Sequence, residues 1–268
     1  MRLAEGLGKD ALAKALECPE RLLEDPAARF VKDHRRTAVA AVTVEGREVF
    51  VKRFKPYAWY RRIEAAVALG SARRSWANAR ELAAAGIATA PALACVELFD
   101  AGLPADAYFV TAAVPGTSPA GRCWREAGPS LDPAARRRFV EAGARHLRRL
   151  HDAGFYTRDA NADNALVRVS GGEFEFVLID LESIRPVRSV SERRRQKNLV
   201  QVLRPIRGAV RVVDQIRFVR AYLESGASPS AVEGERRALL REWITKLREQ
   251  DRRKEAEYRR RARRKRLP

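Results

Sequence analysis

The sequence has no run of about 18 apolar residues, the length a helix needs to cross a bilayer, so no membrane span is expected. Its first stretch, MRLAEGLGKDALAKALECPERL, carries acidic residues throughout and has no continuous apolar segment, so it does not read as a secretory signal. Cysteine is scarce. Cys18, Cys95 and Cys123 are odd in number and far apart, which excludes a disulfide framework and a cysteine metal site and fits a reducing cytosol. No internal repeat is present. The segment KDHRRTAVAAVTVEG holds no G-x-G, so no glycine-rich loop precedes the strands that follow it; Arg35, Arg36 and backbone amides are what it offers an anion instead.

What is there is a globular composition, 46% apolar and 32% charged, in 268 residues, enough for one large or two smaller cores. The net charge of +19 is uneven. Residues 1–190 carry 29 basic and 24 acidic side chains, a net +5, whereas residues 191–268 carry 24 and 10, a net +14. Such a surface attracts polyanions: nucleic acid, anionic lipid or phosphorylated glycolipid. The basic stretches lack aromatic interleaving beyond Trp243 and Tyr258, which argues against nucleic acid.

Along the chain, the first thirty residues read as amphipathic helix ending near Pro26. TAVAAVTV and REVFVKRF flank Glu45-Gly46 as a β-hairpin. Residues 57–85 read as helix with Gly86 as the stop, IATAPALACVEL as loop then strand, and YFVTAAV (108–114) as a strand closed by Pro115-Gly116. Asp132, Pro133 and Gly154 mark the cap, first position and stop of a long helix. ALVRV and EFEFVLID flank Gly171-Gly172 as a second hairpin. From Val190 the pattern is helical, with Gly226–Pro229 separating two helices, and RRRARRKRLP ends the chain as a solvated basic tail. The predicted fold class is α+β in two lobes: a small β-rich lobe over 1–114, a larger helical lobe over 115–248, and a basic tail over 249–268.

The chemistry concentrates in Tyr156-Thr157-Arg158-Asp159-Ala160-Asn161-Ala162-Asp163-Asn164 and the hairpin ending at Ile179-Asp180. Phosphoryl transfer needs a carboxylate near the attacking hydroxyl and oxygen ligands for Mg²⁺. Kinases take these from an Asp, an Asn five residues later, and an Asp after the next hairpin. Asp159, Asn164 and Asp180 have that arrangement. An Asp–Asn pair at this spacing is common in polar loops; the capped helix before it and the hairpin after it give it weight. Asn161 and Asp163 are assigned no role; solvent exposure or loop hydrogen bonding accounts for them. Lys52 lies inside the apolar strand EVFVKRF, where a lysine needs a partner or a phosphate, although Arg53 and Lys55 leave a water-facing edge open. A glutamate paired with Lys52 is sought on the following helix, at Glu64 or Glu81.

These segments together resemble the bacterial lipopolysaccharide kinases, the Kdo and core-heptose kinases and their relatives, over roughly residues 28–225. RRTAVAAVTVEGREVFVKRF, SWANARELAAAGIATAPAL, YFVTAAVPGTS, LRRLHDAGFYTRDANADNALV, FVLIDLESIR and RRRQKNLVQVLR with IRFVRAYL carry the likeness in order. The resemblance implies a protein-kinase-like fold using ATP and Mg²⁺ to phosphorylate a lipopolysaccharide sugar. In it Asp159 is the base, Asn164 and Asp180 are metal ligands, Lys52 is the phosphate lysine, and Thr111, Ala112, Ala113 and Val114 form the adenine hinge. The leading expectation is then a cytoplasmic enzyme with an anionic glycolipid acceptor, its basic C-terminal third offering a peripheral contact with the anionic face of the inner membrane. Three departures stand out. Thr157 occupies a position commonly His, and Ser75 precedes Trp76 where the family places its helix glutamate. The basic tail extends past the likeness. Glu81 lies six residues beyond Ser75, roughly 600° around a helix and so on another face. A kinase acting on a protein or small molecule, and a pseudokinase scaffold, remain as alternatives.

Overall fold

The computed structural model describes residues 1–4, 11–55, 70–204, 210–226 and 233–264. The chain forms two compact units, one of Met1–Pro115 with Leu178–Glu182, the other of Gly116–Val177 with Ser183–Pro268. The short segment Leu178–Glu182, expected within 115–248, thus packs with the first unit. No helix among the described residues is long and apolar enough to cross a membrane.

The first unit is built on a six-stranded sheet of β1 (Arg2–Leu3), β2 (Arg29–Asp33), β3 (Thr37–Val44), β4 (Arg47–Phe54), β5 (Ala92–Asp100) and β6 (Leu103–Ala112), in the order β1-β5-β6-β4-β3-β2. Alternation along β4 turns Val49 and Val51 into the core, where they meet Val42, Val96, Val110 and Leu16. Burying each such side chain is worth about 1.5–3 kcal/mol. Glu45-Gly46 and Ala101-Gly102 make the β3–β4 and β5–β6 turns with both residues at positive φ (50° and 75°; 50° and 76°), the twist a two-residue hairpin requires.

The N-terminus departs from the expected single helix. Arg2 and Leu3 pair with Cys95 and Ala94 of β5, and two short helices follow, α1 (Ala11–Ala15) and α2 (Pro19–Glu24). Pro19 lacks the N–H that would continue a preceding helix, so the chain restarts there. Of the helix expected over 57–85, Ser71–Ala84 is observed as α3; Glu64 and the rest of 56–69 lie outside the described residues.

The second unit holds α4 (Ala120–Ala127), α5 (Pro133–Asp152), α6 (Glu192–Leu203), α7 (Val212–Glu224) and α8 (Glu233–Arg264). With them are two small sheets: β7 (Thr117–Pro119), β9 (Ala165–Ser170) and β10 (Glu173–Leu178) in the order β10-β9-β7, and β8 (Phe155–Thr157) with β11 (Ile184–Pro186). The Asp132 carboxylate caps α5, accepting from the Ala134 and Ala135 amides at 2.8 and 2.9 Å. At its other end Gly154 (φ 80°) runs so close to the Val187 carbonyl that a Cβ there would come within 2.6 Å. Phe139 anchors the inner face of α5 among Trp124, Phe174 and Phe176, with ring centroids 5.1, 5.1 and 5.4 Å away.

The expected tail at 249–268 is helical as far as Arg264, its last four residues lying outside the described ones. Trp243 and Leu247 are buried, Lys246 pairs with Glu192 at 2.9 Å, and Arg204 reaches Glu255 at 2.9 Å. Those anchors carry helical order through the 248/249 boundary.

Candidate active site

In the first unit the site is built around Lys52. It stands on the β4 face opposite Val49 and Val51, with Val39 of β3 and Phe109 of β6 as its cross-strand neighbours. The Phe54 ring centroid lies 5.2 Å from Nζ. Nζ donates to the Asp180 carboxylate and, at 2.6 Å, to Glu182 Oε1. The counter-charges arrive on one short turn. Leu178 exchanges backbone bonds with Ala88 and Ala90, and Asn78 of α3, buried, donates from Nδ2 to the Leu181 carbonyl at 2.7 Å. Asp180 sits between these anchors at φ 63°, a left-handed conformation that Asp tolerates better than most residues.

Burial alone would lower the Lys52 pKa, but the Glu182 and Asp180 carboxylates outweigh it and raise it. For Asp180 burial works upward and the Lys52 charge prevails, holding its carboxyl below the usual range. Glu182 is pushed up to about 7, first by burial and then by the neighbouring Asp180 carboxylate, against the pull of Lys52. Lys52⁺ and Asp180⁻ are therefore the charged pair, and Glu182 is the last of the three to ionise.

In the second unit β8 leads into the loop that carries Asp159, and a 3₁₀ turn (Ala162–Asn164) leads out. Asp159 is exposed. Its N–H donates to Thr157 Oγ1 at 3.1 Å, and its carbonyl accepts from Asn164 Nδ2 at 3.0 Å. That bond engages the Asn164 amide nitrogen and leaves its oxygen as the end suited to a cation. Thr157, where the likeness led one to look for His, is buried and also shares a 2.7 Å hydroxyl–hydroxyl bond with Ser183. Asn161 accepts from the Asp163 N–H (3.1 Å), and Asp163 accepts from the Arg122 N–H at 2.8 Å and from Arg125 at 3.0 Å. Both serve loop hydrogen bonding.

The structure thus joins Lys52 to Asp180, and Asp159 to Asn164. It does not join Lys52 to Glu81, which is exposed on α3, while Ser75 on the buried face of that helix bonds its own Ser71 carbonyl. Among the described residues the lysine's further partner is Glu182, which sequence reasoning missed, while Glu64, the other expected candidate, lies outside them; the faint signal available was the Asp-x-Glu spacing in LIDLESI. In the expected hinge, the Ala112 N–H donates to Pro91 O at 2.9 Å and the Ala113 N–H to Glu48 O at 3.0 Å. Arg35 and Arg36 are exposed in the β2–β3 connection.

A solved structure described as WaaP in complex with acyl carrier protein matches this chain with a TM-score of 0.67 and 24% identity, covering 94% of this chain and 99% of that one. The fold is therefore protein-kinase-like. The model of the lipopolysaccharide kinase (Kdo/WaaP) family matches residues 26–222, and the chain belongs to that family of kinases. It is also 29% identical over 191 residues to the lipopolysaccharide core heptose(I) kinase WaaP of Pseudomonas aeruginosa, covering 67% of this chain and 70% of that protein.

Proposed function

We propose that this chain transfers a phosphoryl group from ATP to a sugar hydroxyl of lipopolysaccharide core or a related anionic glycolipid. The observation that carries the proposal is the Lys52 ammonium held on a strand by Asp180 and Glu182, with Asp180 fixed in a left-handed turn. In this reading Lys52 meets the phosphates, and Asp159 orients the acceptor hydroxyl and takes its proton. The Asn164 oxygen and the Asp180 carboxylate are the hard donors that Mg²⁺ prefers. When bound, Mg²⁺ neutralises charge on the phosphate oxygens. Thr111, Ala112, Ala113 and Val114 are the proposed adenine contact, with the Ala112 and Ala113 N–H groups already bonded to the Pro91 and Glu48 carbonyls. Family membership supports the acceptor class, and the net +14 of residues 191–268 suits an anionic glycolipid at a membrane face. A carrier-protein partner is carried over from the related complex.

The test is transfer of labelled phosphate from ATP to purified lipopolysaccharide, with a generic protein substrate as comparison. It is run with and without acyl carrier protein, and with the chain shortened by residues 259–268. Asp159→Asn should lower turnover by about 10²–10⁴-fold with ATP binding retained. Asp180→Ala should abolish Mg²⁺-dependent ATP binding. Absence of Mg·ATP binding by the wild type, or equal affinity in Asp180→Ala, would sink the enzyme reading in favour of a scaffold. Preference for the protein substrate would move the acceptor. Unchanged turnover and vesicle binding after shortening would dismiss the basic terminus as a membrane contact.

A further inference from the structure

We infer that Asn198 is a positioning residue for the loop that carries Asp159, and that a one-directional hydrogen-bond chain through Tyr222 and His151 holds it. The inference rests on the reading of Asp159 as the residue that meets the acceptor hydroxyl.

Asn198 is fully buried on α6 and clasps both peptide groups of Thr157. Its Oδ1 accepts from the Thr157 N–H at 3.3 Å, and its Nδ2 donates to the Thr157 carbonyl at 2.8 Å and to Gln201 Oε1 at 2.9 Å. One turn further along, Gln201 Nε2 donates to the Arg158 carbonyl at 2.9 Å. Thr157 passes the constraint on, because its Oγ1 accepts the Asp159 N–H. Three consecutive residues ending at Asp159 are thus tethered, two by α6 and the third by Thr157.

The polarity of the chain follows from these partners. Only an oxygen can face the Thr157 N–H and only a nitrogen its carbonyl, so the Asn198 amide has one orientation. His151 Nε2 lies 3.0 Å from that oxygen and must carry a hydrogen. In the neutral ring Nδ1 is then an acceptor, and the Tyr222 hydroxyl, 2.7 Å away, must donate to it. The Tyr222 oxygen in turn accepts from Arg195 Nη1 at 3.1 Å, and Arg195 is fixed by Asp152 (3.1 Å) and the Val190 carbonyl (3.0 Å). The charged and titratable groups around His151 are Tyr222, Arg195, Arg148 and Asp152. Burial foremost, aided by the two arginines, keeps the ring neutral down to about pH 4, against the Asn198 bond and Asp152. The chain therefore has one polarity across the working pH range.

A packing role alone would cost stability and leave turnover of the folded protein unchanged. The experiment joins kinetics on purified lipopolysaccharide and Mg·ATP to amide exchange and ¹⁵N-histidine spectra. Asn198→Ala should lower kcat by about ten- to a hundred-fold, as loss of near-attack geometry does, with KM for ATP within about twofold. Amides 157–164 should exchange faster. Asn198→Asp, which keeps both acceptor bonds, should recover part of kcat. Val219→Ala, a buried change on α7 away from the chain of bonds, should lose stability and keep kcat. His151 should show the Nε2–H tautomer from pH 5 to 8. If Asn198→Ala does not fold, Tyr222→Phe replaces it, with the Nε2–H tautomer kept by the Asn198 oxygen and a kcat loss of about threefold expected. Wild-type kcat in Asn198→Ala, equal kcat losses in Asn198→Ala and Val219→Ala, or an Nδ1–H tautomer overturns the inference. Asp159→Asn in the same assay separates the two claims. Wild-type turnover there refutes the reading of Asp159, whereas lost turnover there with an unaffected Asn198→Ala refutes only the positioning role.

Discussion

Replacing Glu182 with alanine would leave Lys52 a single described counter-charge, the Asp180 carboxylate that the proposed function needs for the metal. The 2.6 Å contact joins side chains only 16% and 22% exposed. At an effective dielectric of about 20 its gross attraction is roughly 6 kcal/mol. Desolvation of both groups offsets most of that, and the raised pKa of Glu182 is the sign of this cost. The net is about 1.5 kcal/mol, in the range of a charge-assisted hydrogen bond. Without it Lys52 concentrates on Asp180 and competes with the cation. Affinity for Mg·ATP should fall about tenfold, the equivalent of about 1.4 kcal/mol. Calorimetric titration of Mg·ATP into the wild type, Glu182→Ala and Glu81→Ala measures it, with Glu81→Ala expected within about twofold of wild type. Wild-type affinity in Glu182→Ala, or a loss confined to Glu81→Ala, would refute the assignment of Glu182 as the lysine's partner.

Stability should also depend on pH in a defined window. His146 and His151 are both depressed to about 4, chiefly by burial, so between pH 6.5 and 4 the unfolded chain binds protons that the folded one refuses. Each histidine then removes up to about 3 kcal/mol as pH falls through that window. Glu182, raised to about 7, has the opposite sign: the folded state gains a proton between pH 7 and 4.5 and recovers about the loss of one histidine. Urea unfolding of the wild type should therefore lose about 3 kcal/mol from pH 6.5 to 4, and Glu182→Gln about twice that; equal slopes would contradict the assignment. Asp214, buried on α7 between Arg217 (3.1 Å) and Arg136 (3.6 Å), is a structural ion-pair centre. Asp214→Ala should destabilise by about 3–5 kcal/mol because Arg136 stays buried, and a change below about 1 kcal/mol in chemical denaturation would show the pair to be dispensable.

The parts legible in the sequence are those whose causes are local. Asp132, Pro133 and Gly154 delimit α5 because cap, first turn and stop are set by neighbouring atoms. Glu45-Gly46 and Gly171-Gly172 mark turns because glycine takes positive φ freely. Ala101-Gly102 makes the same kind of turn but is harder to see, because Pro104 argues against a strand beginning at Leu103. Asn198 and the pairing of Glu182 with Lys52 are hidden for another reason: the partners lie 41 and 130 residues away, and no periodicity records such a distance. The C-terminal charge suggested a solvated tail. What orders it is the far side of the contact, Glu192 and Arg204 on α6, which the local composition does not contain.

The first unit takes five of its residues, Leu178–Glu182, from beyond the intervening segment Gly116–Val177. On the ribosome this imposes an order of events. The six-stranded sheet has all its strands once Ala112 emerges, yet Lys52 still lacks both carboxylates, and Asn78 still lacks the Leu181 carbonyl. At about 5–20 residues per second, the acidic turn is complete roughly 3.5 to 14 seconds later. Throughout that interval Lys52 is without Asp180 and Glu182, the two carboxylates it meets in the folded chain. The first unit is finished only after the loop bearing Asp159 has been made.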